Sequence, residues 1–229
     1  MCTSSASLAT TSANLARVTS ETLAASGGDH AEGYLPDHPA DAALLTARAR
    51  SEELGCSALG PATGAALCFL ATSLRARAVV EIGTGIGVSG LYLLRGMAAD
   101  GVLTSIDIEP EHHQAARRTF REAGYPPGRT RLIMGRALDV LPRLTSGGYD
   151  LVFVDAARAE YPRYYEHGVQ LLRPGGVIAF HGVTDAARGE RREPGVLAAR
   201  ELARAIREDE RLVPALLPVG GGLLVAAVQ

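Results

Sequence analysis

The 229-residue sequence predicts an α/β fold built on a doubly wound, mostly parallel sheet. Three observations lead to this prediction. From residue 78 onward, short apolar segments alternate with segments of helical period, which is typical of a parallel sheet covered on both faces. The glycine-rich stretch 81–89, Glu-Ile-Gly-Thr-Gly-Ile-Gly-Val-Ser, follows the first apolar segment. Two apolar segments near the C-terminus flank three glycines, 220–222, and this pattern predicts a hairpin.

Residues 1–75 are predicted to form a helical extension that caps a site or supplies an oligomer contact. A short amphipathic helix is expected within residues 15–27, and the turn residues that follow predict a loop over 29–39. Alanine and leucine at helical spacing predict two further helices, over 41–54 and 61–74.

Residues 76–229 are predicted to form one domain with a Rossmann-like sheet of seven strands. The expected strands are 78–82, 102–107, 130–135, 150–154 and 176–181, and the expected helices are 88–99, 110–123, 137–144, 160–172 and 195–209. The hairpin adds strands within 211–219 and 223–228, and so places one antiparallel strand in the sheet.

Composition limits the possible functions. Apolar residues make up 47% of the chain and the formal charge is −2, so neither disorder nor nucleic-acid binding is indicated. The three cysteines show no metal-type spacing, which fits reduced thiols. The first 26 residues lack a basic start followed by an apolar block, and no apolar run is long enough to span a bilayer. A cytoplasmic protein without nucleic-acid or membrane partners is therefore expected.

The glycine-rich stretch predicts a ligand site, because ligands of open parallel sheets bind beyond the carboxyl ends of the strands. Asp107 ends the second predicted strand, where an acid can accept hydrogen bonds from ribose hydroxyls. Glu81 lies just before the turn; an acid there suits a cationic ammonium group and would repel a pyrophosphate. These residues favour S-adenosylmethionine over NAD, although Gly90 could supply a later glycine and spacing alone leaves NAD open.

Four segments carry a resemblance to a known family. They are 81–89, Ser-Ile-Asp-Ile-Glu-Pro-Glu at 105–111, Tyr-Asp-Leu-Val-Phe-Val-Asp-Ala at 149–156 and Leu-Leu-Arg-Pro-Gly-Gly-Val-Ile at 171–178. Over roughly residues 30–229 the sequence resembles the class I S-adenosylmethionine-dependent O-methyltransferases, in the branch of catechol and caffeoyl-CoA O-methyltransferases and their bacterial relatives. It looks closest to an actinobacterial-type subgroup. The closing hairpin also separates methyltransferase-type sheets from those of dinucleotide dehydrogenases.

The resemblance implies a role for individual residues. Residues at the first turn would line the methionine end of the cofactor, Asp107 would hold the ribose, Ala137 would contact adenine, and Asp155 would lie beside the sulfonium. The implied cofactor-binding set is Leu59, Glu81, Gly83, Thr84, Gly85, Ser89, Asp107, Ile108, Arg136, Ala137 and Asp155.

The sequence departs from the family at the metal site. Metal-dependent members hold a divalent cation such as Mg²⁺ with an aspartate after strand four and an Asp-Asn pair after strand five. This chain keeps Asp155 but has His181-Gly182 in place of the pair. The lysine expected three residues after the aspartate is Arg158, and arginine stays protonated at neutral pH and cannot serve as a base.

Three interpretations of the acceptor site follow. Asp155 and His181 could hold Mg²⁺ weakly, His181 could act as a metal-free general base, or the acceptor site could be degenerate. The prediction is S-adenosylmethionine-dependent methyl transfer to a hydroxyl of a small aromatic acceptor, with weak or absent metal dependence. Asp155 and His181 are the predicted catalytic residues, and no residue is assigned as a metal ligand. The alternative is a cofactor-binding protein with little or no catalysis.

Other polar and aromatic residues receive plainer interpretations. His112 and His113 are expected to be solvated, and the tyrosines at 161, 164 and 165 are expected to pack in the core or at its rim. The helical extension makes a homodimer plausible by family resemblance alone.

Overall fold

The computed structural model of the protein describes residues 41–188 and 193–229. The helix predicted within residues 15–27 and the loop predicted over 29–39 lie outside the described residues. Within the described part, no helix combines the length and apolarity that a bilayer crossing requires.

The described chain alternates helices with strands from residue 78 onward, as the sequence predicts. The strands are β1 (Ala78–Ile82), β2 (Val102–Asp107), β3 (Thr130–Met134), β4 (Tyr149–Val154), β5 (Leu172–Phe180), β6 (Leu212–Leu217) and β7 (Leu223–Val228). The α-helices are α1 (Ala42–Glu53), α2 (Pro61–Ser73), α3 (Val88–Gly96), α4 (Pro110–Glu122), α5 (Ala137–Val140), α6 (Tyr161–Leu171), α7 (Val183–Arg188) and α8 (Pro194–Glu208). Short 3₁₀ turns lie at Pro127–Arg129, Leu141–Arg143 and Arg158–Glu160.

The seven strands form one sheet in the order β3-β2-β1-β4-β5-β7-β6. Strands β1 to β5 pair in parallel, and β7 runs antiparallel to both of its neighbours, β5 and β6. The predicted fold class, mostly parallel with one antiparallel strand from a C-terminal hairpin, is therefore confirmed. The strand order reverses between β1 and β4, and ligands of such sheets bind at this switch point.

Three elements differ from their predicted bounds by three residues or more at one end. Helix α5 gives way to a 3₁₀ turn because Pro142 lacks the N–H that would continue the helical hydrogen bonding. Helix α3 ends at Gly96, where a Cβ would overlap the backbone of Cys68 in α2. Strand β5 begins at Leu172, which pairs with Tyr149 ahead of a register shift.

Apolar side chains fill both faces of the sheet. Helices α5, α6 and α8 cover one face, where Tyr161, Tyr164 and Tyr165 are buried as predicted. Helices α1 to α4 cover the other, with Leu44 of α1 and Leu67 of α2 wholly inside the same cluster as the strands. The described part of the helical extension therefore shares its core with the sheet, and the division of the chain at residue 75 stays a prediction.

Candidate active site

The residues that follow four of the parallel strands meet at one edge of the sheet. Backbone hydrogen bonds continue the strand pairing one residue beyond the strand ends. They run from Gly83 N to Ile106 O (2.9 Å), Gly135 N to Asp107 O (2.8 Å), Asp155 N to Ile82 O (2.8 Å) and His181 N to Val154 O (3.0 Å). These bonds fix the backbone at Gly83, Gly135, Asp155 and His181.

A cavity of about 470 Å³ opens at this edge. It is bordered by the ends of β1 to β4, the first turn of α3 and the connection between α1 and α2. Ten of the predicted cofactor residues border it: Leu59, Gly83, Thr84, Gly85, Ser89, Asp107, Ile108, Arg136, Ala137 and Asp155. The structure thus brings together residues from five separate stretches of sequence, while Glu81 and His181 lie behind this lining.

The glycines of the first turn have different reasons to be glycine. Gly83 has φ +96°, and a Cβ there would overlap the backbone carbonyl of Asp155. Gly87, also at positive φ, is the residue from which α3 begins. Gly90 packs against Phe120, whose ring carbon Cζ would stand 2.6 Å from a Cβ. Gly90 therefore serves helix packing, not the close approach of a phosphate.

Asp107 anchors the glycine-rich turn. Its carboxylate accepts hydrogen bonds from Gly85 N at 2.9 Å and from Glu109 N at 2.9 Å. Each carboxylate oxygen has a second lone pair, which leaves room for ligand hydroxyls. His112 Nδ1 lies 3.4 Å from this carboxylate, and its side chain is 25% exposed and borders the cavity. The expectation that His112 is merely solvated is therefore wrong: the first turn of α4 brings it over the cavity.

Glu81 is wholly buried beneath the turn. It accepts hydrogen bonds from Ser89 Oγ and Ser105 Oγ, each at 2.5 Å, and Ser105 in turn bonds Thr84 at 2.6 Å. Burial raises the pKa of Glu81 to about 7, against the hydrogen bonds from the two serines, which lower it. Ser89 and Thr84, not Glu81, carry this hydrogen-bond chain to the cavity wall.

The two predicted catalytic residues are in contact. His181 Nδ1 lies 3.1 Å from Asp155 Oδ1, and Asp155 borders the cavity with 31% of its side chain exposed. The hydroxyl of Tyr161 donates to the carbonyl of His181 at 2.9 Å and so fixes the end of β5. Burial raises the pKa of Tyr161 well above its usual range, which keeps this donor protonated.

The residues at this edge do not fit a Mg²⁺ site. Gly182, at φ +68°, offers no side chain, and the guanidinium of Arg158 covers it with Nη2 2.7 Å from the position of a Cβ. Among the described residues, no group of three or more His, Cys, Asp and Glu side chains is arranged to hold a metal ion. Asp155 and His181 alone fall short of the six oxygen ligands that Mg²⁺ prefers.

The cavity has further lining that the sequence did not indicate: Ser51, Cys56, His112, Glu160 and Tyr164. Ser51 Oγ is buried and has no hydrogen-bond partner within the described chain. Glu160 accepts from the Tyr164 hydroxyl at 2.6 Å and faces Arg136 at 3.5 Å. Burial and the neighbouring Glu160 raise the pKa of Tyr164. No sequence motif indicates Glu160 as a site residue, although it lies only five residues after Asp155.

Comparison with known proteins gives a consistent picture. A family model described as O-methyltransferase matches residues 37–228. A protein of Mycobacterium tuberculosis named as a probable O-methyltransferase is 54% identical over 202 residues, which span 86% of this chain and 88% of that protein.

Solved structures show the same similarity. The O-methyltransferase TomG of Streptomyces achromogenes, in complex with S-adenosylmethionine, is 29% identical with a TM-score of 0.76, over 82% of this chain and 90% of that one. An O-methyltransferase of Bacillus cereus in complex with S-adenosylhomocysteine is 27% identical with a TM-score of 0.79, over 86% of this chain and 96% of that one.

Proposed function

The chain belongs to the O-methyltransferase family, and on that premise we propose that it methylates a hydroxyl of a small aromatic acceptor with little or no need for a metal ion. Its methyl donor is S-adenosylmethionine, the cofactor of the solved relatives. The observation that carries the proposal is the contact between Asp155 and His181 at the wall of the cavity, next to a cationic Arg158.

The cavity fits S-adenosylmethionine, which supplies a methyl group on a positively charged sulfur. Asp107 has unused lone pairs for the ribose hydroxyls, and the backbone at Gly83 and Gly85 is open to a ligand. The unpartnered Ser51 hydroxyl offers a further hydrogen bond to a bound molecule. Glu81 would act through Ser89, which lies between the buried acid and the cavity. From there the acid favours a cationic ligand end without touching it.

Asp155, held in place by His181, is proposed to take up the acceptor's proton. As the O–CH₃ bond forms and the S–CH₃ bond breaks, the acceptor oxygen loses its hydrogen, which needs a base. Asp155 borders the cavity and can accept the hydrogen bond of the acceptor hydroxyl. The proton then lies on the Asp155 carboxyl, and His181 stands behind it with a ring nitrogen 3.1 Å from that carboxyl, which it holds in position.

Arg158 supports the metal-free part of the proposal. Its guanidinium lies over Gly182, at the place where metal-dependent relatives of this fold would present a ligand side chain. A permanent positive charge there favours an acceptor oxygen that is losing its proton, which is the electrostatic part of what a divalent cation would supply.

Two measurements test the proposal. Calorimetry should detect binding of S-adenosylmethionine to the purified protein, and a panel of phenols and catechols should give methylated product in buffer with EDTA. Turnover that disappears in EDTA and returns with Mg²⁺ would reject metal independence. Binding of the cofactor with no product from any acceptor would favour the alternative, a cofactor-binding protein with a degenerate acceptor site.

Turnover that His181→Ala abolishes would reject that alternative. His167→Ala, which changes a histidine of α6 that does not border the cavity, is the matched comparison. The homodimer, the cytoplasmic location and the absence of nucleic-acid and membrane partners remain proposals that rest on composition and on family resemblance.

A further inference from the structure

Two buried polar atoms at the inner side of the proposed acceptor site lack hydrogen-bond partners. One is Oγ1 of Thr63, a fully buried residue in the first turn of α2, and the other is Nε2 of His181. Neither finds a donor or acceptor within the described chain. Buried polar groups are nearly always paired, so two orphans that face the same spot mark a place where a hydrogen bond is expected.

The two atoms lie on the same side of Gly220. A Cβ on Gly220 would overlap Thr63 Oγ1 and would lie 2.9 Å from His181 Nε2. Both atoms therefore border the same face of this glycine, which has φ +51°. Any other residue at position 220 would fill the space between the hydroxyl and the imidazole.

The turn that carries Gly220 is held in place by the start of α7. The carbonyl of Gly221 accepts from Thr184 N at 2.8 Å and from Asp185 N at 3.0 Å, and the carbonyl of Gly222 accepts from Val183 N at 3.0 Å. These bonds satisfy N–H groups that a helix start leaves free. The wall behind His181 is thus a fixed part of the fold.

The chemistry of the imidazole decides what Thr63 must do. Nδ1 faces the Asp155 carboxylate at 3.1 Å, and a carboxylate can only accept, so the hydrogen of this contact lies on Nδ1. Nε2 of the neutral ring is then an acceptor. The nearby Tyr161 hydroxyl is already bonded to the carbonyl of His181, which leaves the Thr63 hydroxyl as donor. A hydroxyl can also accept, so the same group suits Nε2–H when the ring is charged.

We propose that Thr63 is a positioning residue for methyl transfer: its hydroxyl pairs with His181 Nε2, directly or through one water, and holds the imidazole in the orientation that turns Nδ1–H towards Asp155. Thr63 touches neither cofactor nor acceptor and acts through His181. The effect of Thr63 on methyl transfer rests on the proposed function, because it needs the Asp155–His181 pair to handle the acceptor's proton. The pairing of Thr63 with His181 concerns the fold alone and does not depend on that function.

The test compares Thr63→Val, which removes the hydroxyl and keeps the shape, with Thr63→Ser, which keeps the hydroxyl. Nitrogen-15 NMR of the imidazole should show hydrogen on Nδ1 and none on Nε2 in the native neutral ring. In Thr63→Val hydrogen should stay on Nδ1, because Asp155 holds it there, while the Nε2 resonance should move downfield as this nitrogen loses its hydrogen-bond donor. In Thr63→Ser the native Nε2 resonance should persist. The kcat of Thr63→Val should fall about tenfold, the effect of one lost hydrogen bond, with the KM for S-adenosylmethionine unchanged.

Thr72→Val is the matched control. Thr72 lies on the same helix, is exposed, and gives its hydroxyl to Cys68 O at 2.8 Å, so its loss should change neither the NMR pattern nor kcat. If Thr63→Val fails to fold, Thr63→Cys replaces it, because a thiol keeps the shape with a much weaker hydrogen bond.

Two results would overturn the proposal: an unchanged Nε2 resonance in Thr63→Val, or an equal loss of kcat in Thr63→Ser, which would mean that volume and not the hydroxyl matters. Should the native protein bind S-adenosylmethionine and methylate no acceptor, the proposed function fails, while the NMR comparison still decides whether Thr63 pairs with His181.

Discussion

The guanidinium of Arg158 lies over Gly182, with Nη2 2.7 Å from the point that a Cβ on Gly182 would occupy. A side chain at position 182 and this placement of Arg158 exclude each other, so the two residues act as a unit. Gly182 has φ +68°, a conformation that asparagine tolerates better than most other residues. The pair therefore explains how a cation comes to lie at the end of β5, where the family resemblance implies a metal ligand.

The double variant Arg158→Lys with Gly182→Asn should gain a response to Mg²⁺. Asparagine adds an oxygen ligand beside Asp155, and the smaller lysine head leaves the space above position 182 open. We expect Mg²⁺ to raise its kcat about tenfold over the rate in EDTA, the scale of effects that metal-site residues have.

The single change Arg158→Lys is the control for this experiment. It retains the positive charge and supplies no ligand, so its rate should be the same with EDTA and with Mg²⁺. A native enzyme that itself loses activity in EDTA would contradict the role given to Arg158.

The strands were predictable to within a residue or two for β1, β2, β3 and β4, and the reason is physical. Strands β1 and β4, buried on both faces, appear in sequence as short and largely apolar runs. Strands β2 and β3 are marked instead by the glycines and charged residues that bound them. The early start of β5 was not predictable, because Arg173, Pro174 and Gly175 in its first half carry no strand signal. Only the pairing of Leu172 with Tyr149 places them in the sheet.

The site was predictable where the strand ends supply it and not where distant elements do. Ser51 and Cys56 reach the cavity because α1 docks on the rest of the fold through Asp41–Arg95 at 2.5 Å and Arg50–Glu122 at 3.1 Å. Such contacts between residues far apart in sequence leave no local pattern. Glu81 precedes the turn, yet its register opposite Ser105 directs its carboxyl to that residue's hydroxyl and away from the cavity.

Glu81→Gln should change how stability depends on pH. Burial raises the pKa of Glu81 from 4.5 to about 7 in the folded protein. Below pH 4.5 the carboxyl is protonated in both folded and unfolded chains, and its stabilising contribution is fully present. As pH rises towards 7, the unfolded chain loses this proton first and the folded protein is destabilised, by about 3 kcal/mol once the shift is complete.

Glutamine removes this effect because it does not titrate. Its amide can donate to Ser105, which then donates to Thr84, so the hydrogen-bond chain survives with reversed direction. In urea unfolding of the ligand-free protein, the free energy of unfolding of Glu81→Gln should therefore rise relative to that of the native protein as the pH rises towards 7. An equal difference at acidic and alkaline pH would show that Glu81 does not titrate in this range.

Asp107→Ala should weaken binding of S-adenosylmethionine by at least about tenfold, since it removes a charge-assisted acceptor for hydroxyls and the anchor of Gly85 N. Calorimetry measures the dissociation constant, and circular dichroism checks that the fold is kept. Asp139→Ala, at an exposed position on α5, is the matched control and should bind as the native protein does. Equal loss in both variants would mean that net charge, not the contact, controls affinity.

Gly83→Ala should be strongly destabilising, because two independent constraints act at this position. The φ of +96° strains any L side chain, and the new Cβ would overlap the backbone carbonyl of Asp155, which cannot rotate away as a side chain could. Together they should lower the free energy of unfolding by about 2–4 kcal/mol.

Gly128→Ala is the control: no atom lies within 4 Å of its Cβ position and its φ is not positive, so the change should stay within about 0.5 kcal/mol. Urea unfolding of both variants measures the difference. Similar stabilities would mean that β1 and β4 can separate at the switch point without cost, and the close approach of Gly83 to Asp155 would then not be what holds the cavity's two sides together.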